Sequence, residues 1–219
     1  DIMLAELTES RLHVCHVSTS RSVDLIRDGK ARGVRVTAEV TPHHLLFTED
    51  LVETYNPIYK VNPPLRTDAD VAALREGLAD GTIDVIATDH APHPEESKDT
   101  DWNSAAFGMV GLEFAYCVAQ KVLIDSGLSN LERLAQVLSI TPAQISGLKN
   151  QGNYLSPGSA ANLTLVDMDQ SWFAKLDTMS KSRNNPYAGL EFRGRVVHTI
   201  FDGQFSFRDQ VLREDGSDA

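Results

Sequence analysis

The stretch Asp84-Val85-Ile86-Ala87-Thr88-Asp89-His90-Ala91-Pro92-His93 sets an acid and two imidazoles just past a short apolar, β-branched run. A carboxylate and an imidazole held close together can move protons, ligate a cation, or do both. Residues 85–88 read as a buried strand. Pro92 and Pro94 forbid a regular helix directly afterwards, so residues 89–94 are expected to form a loop. A lone Asp or His in such a place more often caps a turn or faces solvent. Asp-His-x-Pro-His at the carboxyl end of a strand reads as a site.

Two more strand ends carry related chemistry: His16 after residues 12–17, and Thr41-Pro42-His43-His44 after residues 34–40. If the three strands are parallel, their ends share one rim, the place where α/β barrels build active sites. Imidazole nitrogen and carboxylate oxygen converging there suit zinc. The donors are too few for a closed site, however. On residues alone, a metal-free hydrolase or lyase stays open, with Asp89 as base and His93 as acid. The other histidines read as structural: His13 packed behind its strand, His43 and His44 fastening a loop, His198 on the surface of a hairpin. In Val61-Asn62-Pro63-Pro64-Leu65-Arg66 the prolines hold the backbone extended. Asn62 is thereby either aimed at a ligand or merely carried across the rim.

The elements that must position these groups alternate. A helix tail around Leu4 and Leu7 precedes the first strand, and Ser18-Thr19-Ser20 offers caps for a helix through Ala31, closed at Gly33. Residues 43–66, with three prolines, read as mostly irregular. Thr67-Asp68 cap a helix that runs to Asp80-Gly81, before the strand at 85–88. Consecutive βα units of this kind imply a parallel sheet. Helices are expected over 111–128 and 131–138, and a separate short one from Thr141-Pro142. Beyond Gly147 the character changes, and Asp202-Gly203 between apolar runs is a strong hairpin signal. Residues 94–103 are polar and expected to be a mobile lid, and the acidic segment from Arg213 to Ala219 is expected to be disordered.

Composition narrows the function classes. The chain has 219 residues and a formal net charge of −11, which disfavours nucleic acid and anionic membrane surfaces as partners. No apolar run approaches the roughly 20 residues that span a bilayer. Two cysteines are too few for a disulfide framework and suit a reducing, cytoplasmic setting. The first residues lack an initiator Met and read like the inside of a helix.

Taken together, the motifs resemble the dihydroorotases of the bacterial type I class, in the amidohydrolase superfamily. The resemblance is carried by His13-Val14-Cys15-His16-Val17-Ser18-Thr19, Ala38-Glu39-Val40-Thr41-Pro42-His43-His44-Leu45, Asn62-Pro63-Pro64-Leu65-Arg66, Ala87-Thr88-Asp89-His90-Ala91-Pro92-His93 with Lys98, and Phe107-Gly108-Met109-Val110-Gly111-Leu112-Glu113. It implies that His16 and Asp89 are metal ligands, that Asp89 also shuttles the proton, and that Asn62, His93, Phe107 and Gly108 bind substrate. The implied reaction is reversible cyclisation of N-carbamoyl-L-aspartate to L-dihydroorotate with loss of water, in pyrimidine biosynthesis, with one or two zinc ions in the complete enzyme.

The family's His-x-His pair, its bridging carboxylate and a further His have no counterpart in these residues. The resemblance therefore implies an α/β fold that is the carboxyl-terminal part of a metal-dependent-hydrolase TIM (β/α)8 barrel, plus strands of a small β domain. Residues 1–147 are expected to belong to the barrel and residues 148–219 to the β domain and tail. Such a piece is expected to need the amino-terminal half for activity. A homo-oligomer, with or without aspartate transcarbamoylase, is the expected assembly. The alternatives are a hydantoinase, dihydropyrimidinase or allantoinase, or a non-catalytic homologue that scaffolds aspartate transcarbamoylase.

Overall fold

The computed structural model describes residues 1–213, so the expected disorder of the acidic tail beyond Arg213 lies outside the described residues. After α1 (Ile2–Thr8), strands β1 (Leu12–Val14), β2 (Val36–Val40) and β3 (Val85–Ile86) form a parallel sheet in that order. Helices α2 (Ser20–Ala31) and α4 (Asp68–Asp80) connect them. Both helices begin as their sequences dictate: Thr19 accepts from the Ser22 N–H, and Thr67 accepts from the Asp70 N–H. Gly81 ends α4 at φ 91°, a conformation that a side chain would resist. The strands are shorter than expected because the chain turns toward the rim early. Single bonds from Val17 N–H to Glu39 O (2.9 Å) and Ala87 N–H to Val40 O (3.0 Å) continue the pairing past β1 and β3.

Alternation along β2 defines the two faces of this sheet. Val36, Ala38 and Val40 are buried with Val23, Ile26, Leu74 and Leu78 of the flanking helices, while Thr37 and Glu39 are only half-buried. The helix-facing side is therefore the hydrophobic core, and the opposite side is polar.

Residues 43–66 depart from the expected irregular path. Helix α3 (Pro42–Leu46) and 3₁₀ turns at Glu49–Thr54 and Pro57–Tyr59 occupy much of the segment. Thr41 caps the His44 N–H and Pro42 sits in the first turn, where its missing N–H costs nothing. After the short α5 (Glu95–Lys98), a helical run passes from a 3₁₀ turn at Leu112–Phe114 through α6 (Ala115–Gln120) into a π turn at Lys121–Asp125. The next run joins α7 (Leu131–Ala135) to α8 (Thr141–Ser146) through a π turn at Gln136–Ile140. Two separate helices were expected there. The wider π turn accommodates Pro142, which can neither donate an N–H nor fit a normal turn.

The carboxyl-terminal strands β4 (Leu163–Phe173), β5 (Glu191–Phe201), β6 (Gln204–Arg208) and β7 (Val211–Leu212) form an antiparallel sheet in sequential order. Asp202 and Gly203, both at positive φ (49° and 82°), make the expected tight turn between Phe201 and Gln204. Aromatic rings dock this sheet on α6: Phe114 stacks on Tyr187 at 4.5 Å, with Phe192 and Trp172 against them. Gly194 allows the close approach, since a Cβ there would collide with the buried amide of Gln120. The core is continuous across both sheets, running from Val40 through Phe114 to Phe192. Among the described residues no helix is long and apolar enough to cross a membrane.

Candidate active site

Strands β1 and β3 flank β2, and each hands the chain to a residue in the left-handed region: His16 at φ 36° and Asp89 at φ 46°. Side chains other than glycine adopt this conformation at a cost of roughly 1–3 kcal/mol, and functional sites are where surroundings enforce it. Here Glu39 helps to enforce it, since its Oε1 accepts the His16 N–H at 3.3 Å. His16 and Asp89 lie within each other's electrostatic field. Partial desolvation raises the Asp89 pKa above the usual carboxylate range, the His16 imidazole pulls it back, and Glu39 pushes it up again.

His13 is not packed behind its strand. It stands opposite Thr37 in the ladder, on the polar face. Its Nδ1 lies 2.8 Å from Thr37 Oγ1 and its Nε2 2.9 Å from Glu39 Oε2. Donor atoms of His13, Cys15 and Glu39 fall within 4.8 Å of one another, a set that zinc accepts in principle. The His13 and Glu39 donors are already spent on each other, however. Desolvation, Glu39 and Asp89 all raise the Cys15 pKa, so this group remains a thiol. His13, Thr37 and Glu39 form a hydrogen-bonded group that reaches the His16 backbone through Glu39.

His43 and His44 are buried, as a structural role requires. Pro63 O sits 2.9 Å from His44 Nε2, so that nitrogen carries the proton and Nδ1 accepts from the Thr41 hydroxyl at 2.8 Å. Burial pushes the His44 pKa down to about 4 and that of His43 well below its ordinary value. The contact with Pro63 ties α3 to the loop that carries Asn62, which is exposed and precedes a cis peptide bond to Pro63.

The loop after β3 brings three of the expected site residues together. His93 Nε2 donates to Phe107 O at 2.8 Å, and the Gly108 N–H donates to Lys60 O at 2.9 Å. Gly108 has φ 129°, and a Cβ there would come within 2.6 Å of Ala91 Cβ. Only glycine fits. Asn184, from the segment before β5, accepts the His93 N–H at 3.3 Å and donates to Ala91 O at 2.8 Å. Asn62 stands apart from this group, but Lys60, two residues before it, bonds directly to the loop.

Residues 94–103, expected to be loosely anchored, are tied down at Lys98 and, through the Lys60 ammonium, at Trp102 and Asn103. Lys98 is buried, and its Nζ donates to Ala106 O and Gly108 O, each at 2.9 Å. Burial and the neighbouring Lys60 ammonium push the Lys98 pKa down to about 8. Lys60, Asn184 and Glu39 join the expected site residues. For Glu39 the signal was there, in its alternation with the apolar residues of β2. Nothing local marks Lys60 or Asn184, whose partners lie far off in sequence.

Known proteins resemble this chain in sequence and in fold. The dihydroorotase of Streptomyces coelicolor is 54% identical over 218 residues, covering 97% of this chain and 50% of the relative. That of Leifsonia xyli subsp. xyli is 53% identical over 215 residues, covering 98% and 49%. The chain thus spans about half the length of the curated relatives it matches. Among solved structures, the L-hydantoinase (dihydropyrimidinase) from Arthrobacter aurescens superposes with a TM-score of 0.90 at 30% identity, over 97% of this chain and 48% of that one. The dihydropyrimidinase from Brevibacillus agri, TM-score 0.88 at 23% identity, agrees in fold alone. The fold is accordingly the carboxyl-terminal part of an α/β TIM barrel, with strands of a small β domain. With the Amidohydrolase family profile matching residues 3–205, the chain belongs to that family.

Proposed function

We propose that this chain is the carboxyl-terminal half of a zinc-dependent dihydroorotase of pyrimidine biosynthesis, acting in the cytoplasm on L-dihydroorotate and N-carbamoyl-L-aspartate. The observation that carries the reading is the pair of left-handed strand-end residues, His16 and Asp89, within each other's field. The choice of substrate is supported by relatives named dihydroorotase at 41–54% identity, against 30% for the hydantoinase structure.

An imidazole and a carboxylate are donors that zinc accepts, so His16 and Asp89 fit as part of its ligand set, the remaining ligands coming from outside this chain. Bound there, zinc would polarise the ring carbonyl and lower the pKa of water. Asp89 takes a proton from the attacking water and delivers it to the ring nitrogen as the carbon–nitrogen bond breaks. In cyclisation the same carboxylate moves the proton the other way. Its raised pKa suits a group that must both accept and release a proton. With His93 Nε2 donating to Phe107 O, His93 Nδ1 is the atom left for the substrate carboxylate, which it meets as a donor when the ring carries both protons. Asn62 and the Phe107–Gly108 backbone bind the ring. Residues 1–147 serve as barrel and residues 148–219 as β domain and tail.

The test is steady-state hydrolysis by this chain joined to the amino-terminal half that its relatives possess. Asp89→Asn should lower turnover of L-dihydroorotate at least about 100-fold with the fold intact. A loss within about tenfold, roughly 1.4 kcal/mol of barrier, would mean that Asp89 is not the shuttle. His93→Ala should cost about 10–100-fold on dihydroorotate and far less on hydantoin or dihydrouracil, which lack the carboxylate. Equal losses would point to a hydantoinase-type enzyme, and no turnover of any ring by the unmutated protein to a scaffold.

A further inference from the structure

We propose that Lys60 and Lys98 are positioning residues: their buried ammonium groups hold the loop from Trp102 to Gly108 by its carbonyls, and so set the Phe107–Gly108 peptide and the His93 imidazole against the substrate. The substrate part of this inference rests on the dihydroorotase reading; the clamp itself does not.

An ammonium has three N–H donors, and here every donor has a carbonyl. Lys60 Nζ donates to Trp102 O (2.7 Å), Asn103 O (3.0 Å) and Ala105 O (2.7 Å). Lys98 Nζ donates to Lys60 O (3.3 Å), Ala106 O (2.9 Å) and Gly108 O (2.9 Å). None of these six acceptors is a carboxylate. Both lysines are buried, at 7% and 9% exposure. The cages interlock, because Lys60 O accepts from Lys98 and also from the Gly108 N–H. The Lys60 ammonium also lies 4.5 Å from the centroid of the otherwise exposed Phe107 ring.

Burying two like charges close enough to repel each other is a costly way to hold a loop that apolar packing could hold. What the charges add is direction. With five loop carbonyls turned onto the ammonium groups and Phe107 O turned onto His93, the orientation of each intervening peptide plane is set. Among the described residues the Phe107 N–H makes no hydrogen bond, which leaves it as a donor for an acceptor oxygen on the ligand. Loss of either cage frees those planes to rotate. Binding should then suffer before chemistry does, because Asp89 and His16 follow the ends of strands that the lysines do not touch.

Lys60→Met and Lys98→Met keep the apolar stem and delete the ammonium. Amide hydrogen exchange on the 219-residue chain should quicken at least about tenfold across residues 101–110 in each variant, with α2 and α4 unchanged. In the chain joined to its amino-terminal half, KM for L-dihydroorotate should rise about tenfold while kcat changes less than about threefold. If a methionine variant loses protection in α2 and α4 as well, the arginine variant replaces it. Arg keeps the charge, but its planar fork cannot meet the same three carbonyls. Unchanged loop exchange would overturn the clamp. Faster exchange with an unchanged KM would overturn the positioning role. An unmutated protein that turns over hydantoin but not dihydroorotate would overturn only the substrate reading, since the exchange result stands without it.

Discussion

The two sheets hold themselves together by different means. The parallel sheet has strands of three, five and two residues, too short for their ladders to contribute much. Half-buried polar side chains that hook backbone atoms fasten it instead. Asp84 Oδ2 accepts the Ala38 N–H at 2.7 Å while Lys30 Nζ binds both its oxygens. Arg133 donates from α7 to Leu78 O (2.8 Å) and Ile83 O (2.6 Å). The antiparallel sheet has two strands of eleven residues in a long ladder, no buried residue in β4, and a single aromatic patch against α6. Chemistry gathers where the ladders are short. A strand that stops after two or three residues leaves its neighbours free to bend into a site, and side-chain hooks replace the missing ladder bonds.

The comparison can be broken or sharpened by experiment, and acid should separate the two regions most. His43 and His44 are buried neutral beside the parallel sheet, with the His44 pKa down at about 4. Unfolded, each binds a proton near pH 6.5, whereas the folded rings stay neutral. Stability from this pair is therefore complete above pH 6.5 and is lost as pH falls toward 4. For His44 alone the loss amounts to about 3 kcal/mol. Urea unfolding at pH 7 and pH 4.5 should show it, and His44→Asn should flatten the slope. An unaltered slope in that variant would remove His44 from the account.

Asp84→Ala is the next largest effect. It strands the Lys30 ammonium and the Ala38 N–H together, at a cost of about 3 kcal/mol by urea denaturation. Gly194→Ala should cost about 2 kcal/mol although it lies in the antiparallel sheet. Its φ of 88° disfavours a side chain, and the new Cβ meets the Gln120 amide, which donates to Met168 O at 2.9 Å. A cost below about 0.5 kcal/mol there would mean that the two sheets are joined by the aromatic rings alone. The smallest effect belongs to Arg193, half exposed in β5, with Asp169 and Asp125 as partners. Arg193→Ala should shift stability by less than about 0.5 kcal/mol.

What the sequence disclosed follows the same division. The βα alternation, the caps at Thr19 and Thr67 and the hairpin at Asp202-Gly203 are local signals, and each appears where its residues put it. The polar strand ends at His16 and Asp89 were legible because strand, turn and donor lie within a few residues. The merged helix across Pro142 was not, since the π turn that absorbs the proline depends on packing. Nor were the lysine cages. A lysine in a polar stretch looks like a solvated charge, and the six carbonyls that hold Lys60 and Lys98 come together only in the folded chain. His13 was read on the wrong face because its partners, Thr37 and Glu39, belong to the next strand.

The lysine cages also bear on how the rim responds to dissolved salt. An ion pair such as Arg193 with Asp169 at the surface is weakened by counterions, which screen charges over about 8 Å at physiological ionic strength. Lys60 and Lys98 are held by dipoles at contact distance, shielded from solution, so counterions cannot come between the partners. In concentrated electrolyte the antiparallel sheet should shed its outer charge pairs while the loop from Trp102 to Gly108 keeps its shape. A rim built this way tolerates swings in ionic strength without an acidic partner for either lysine.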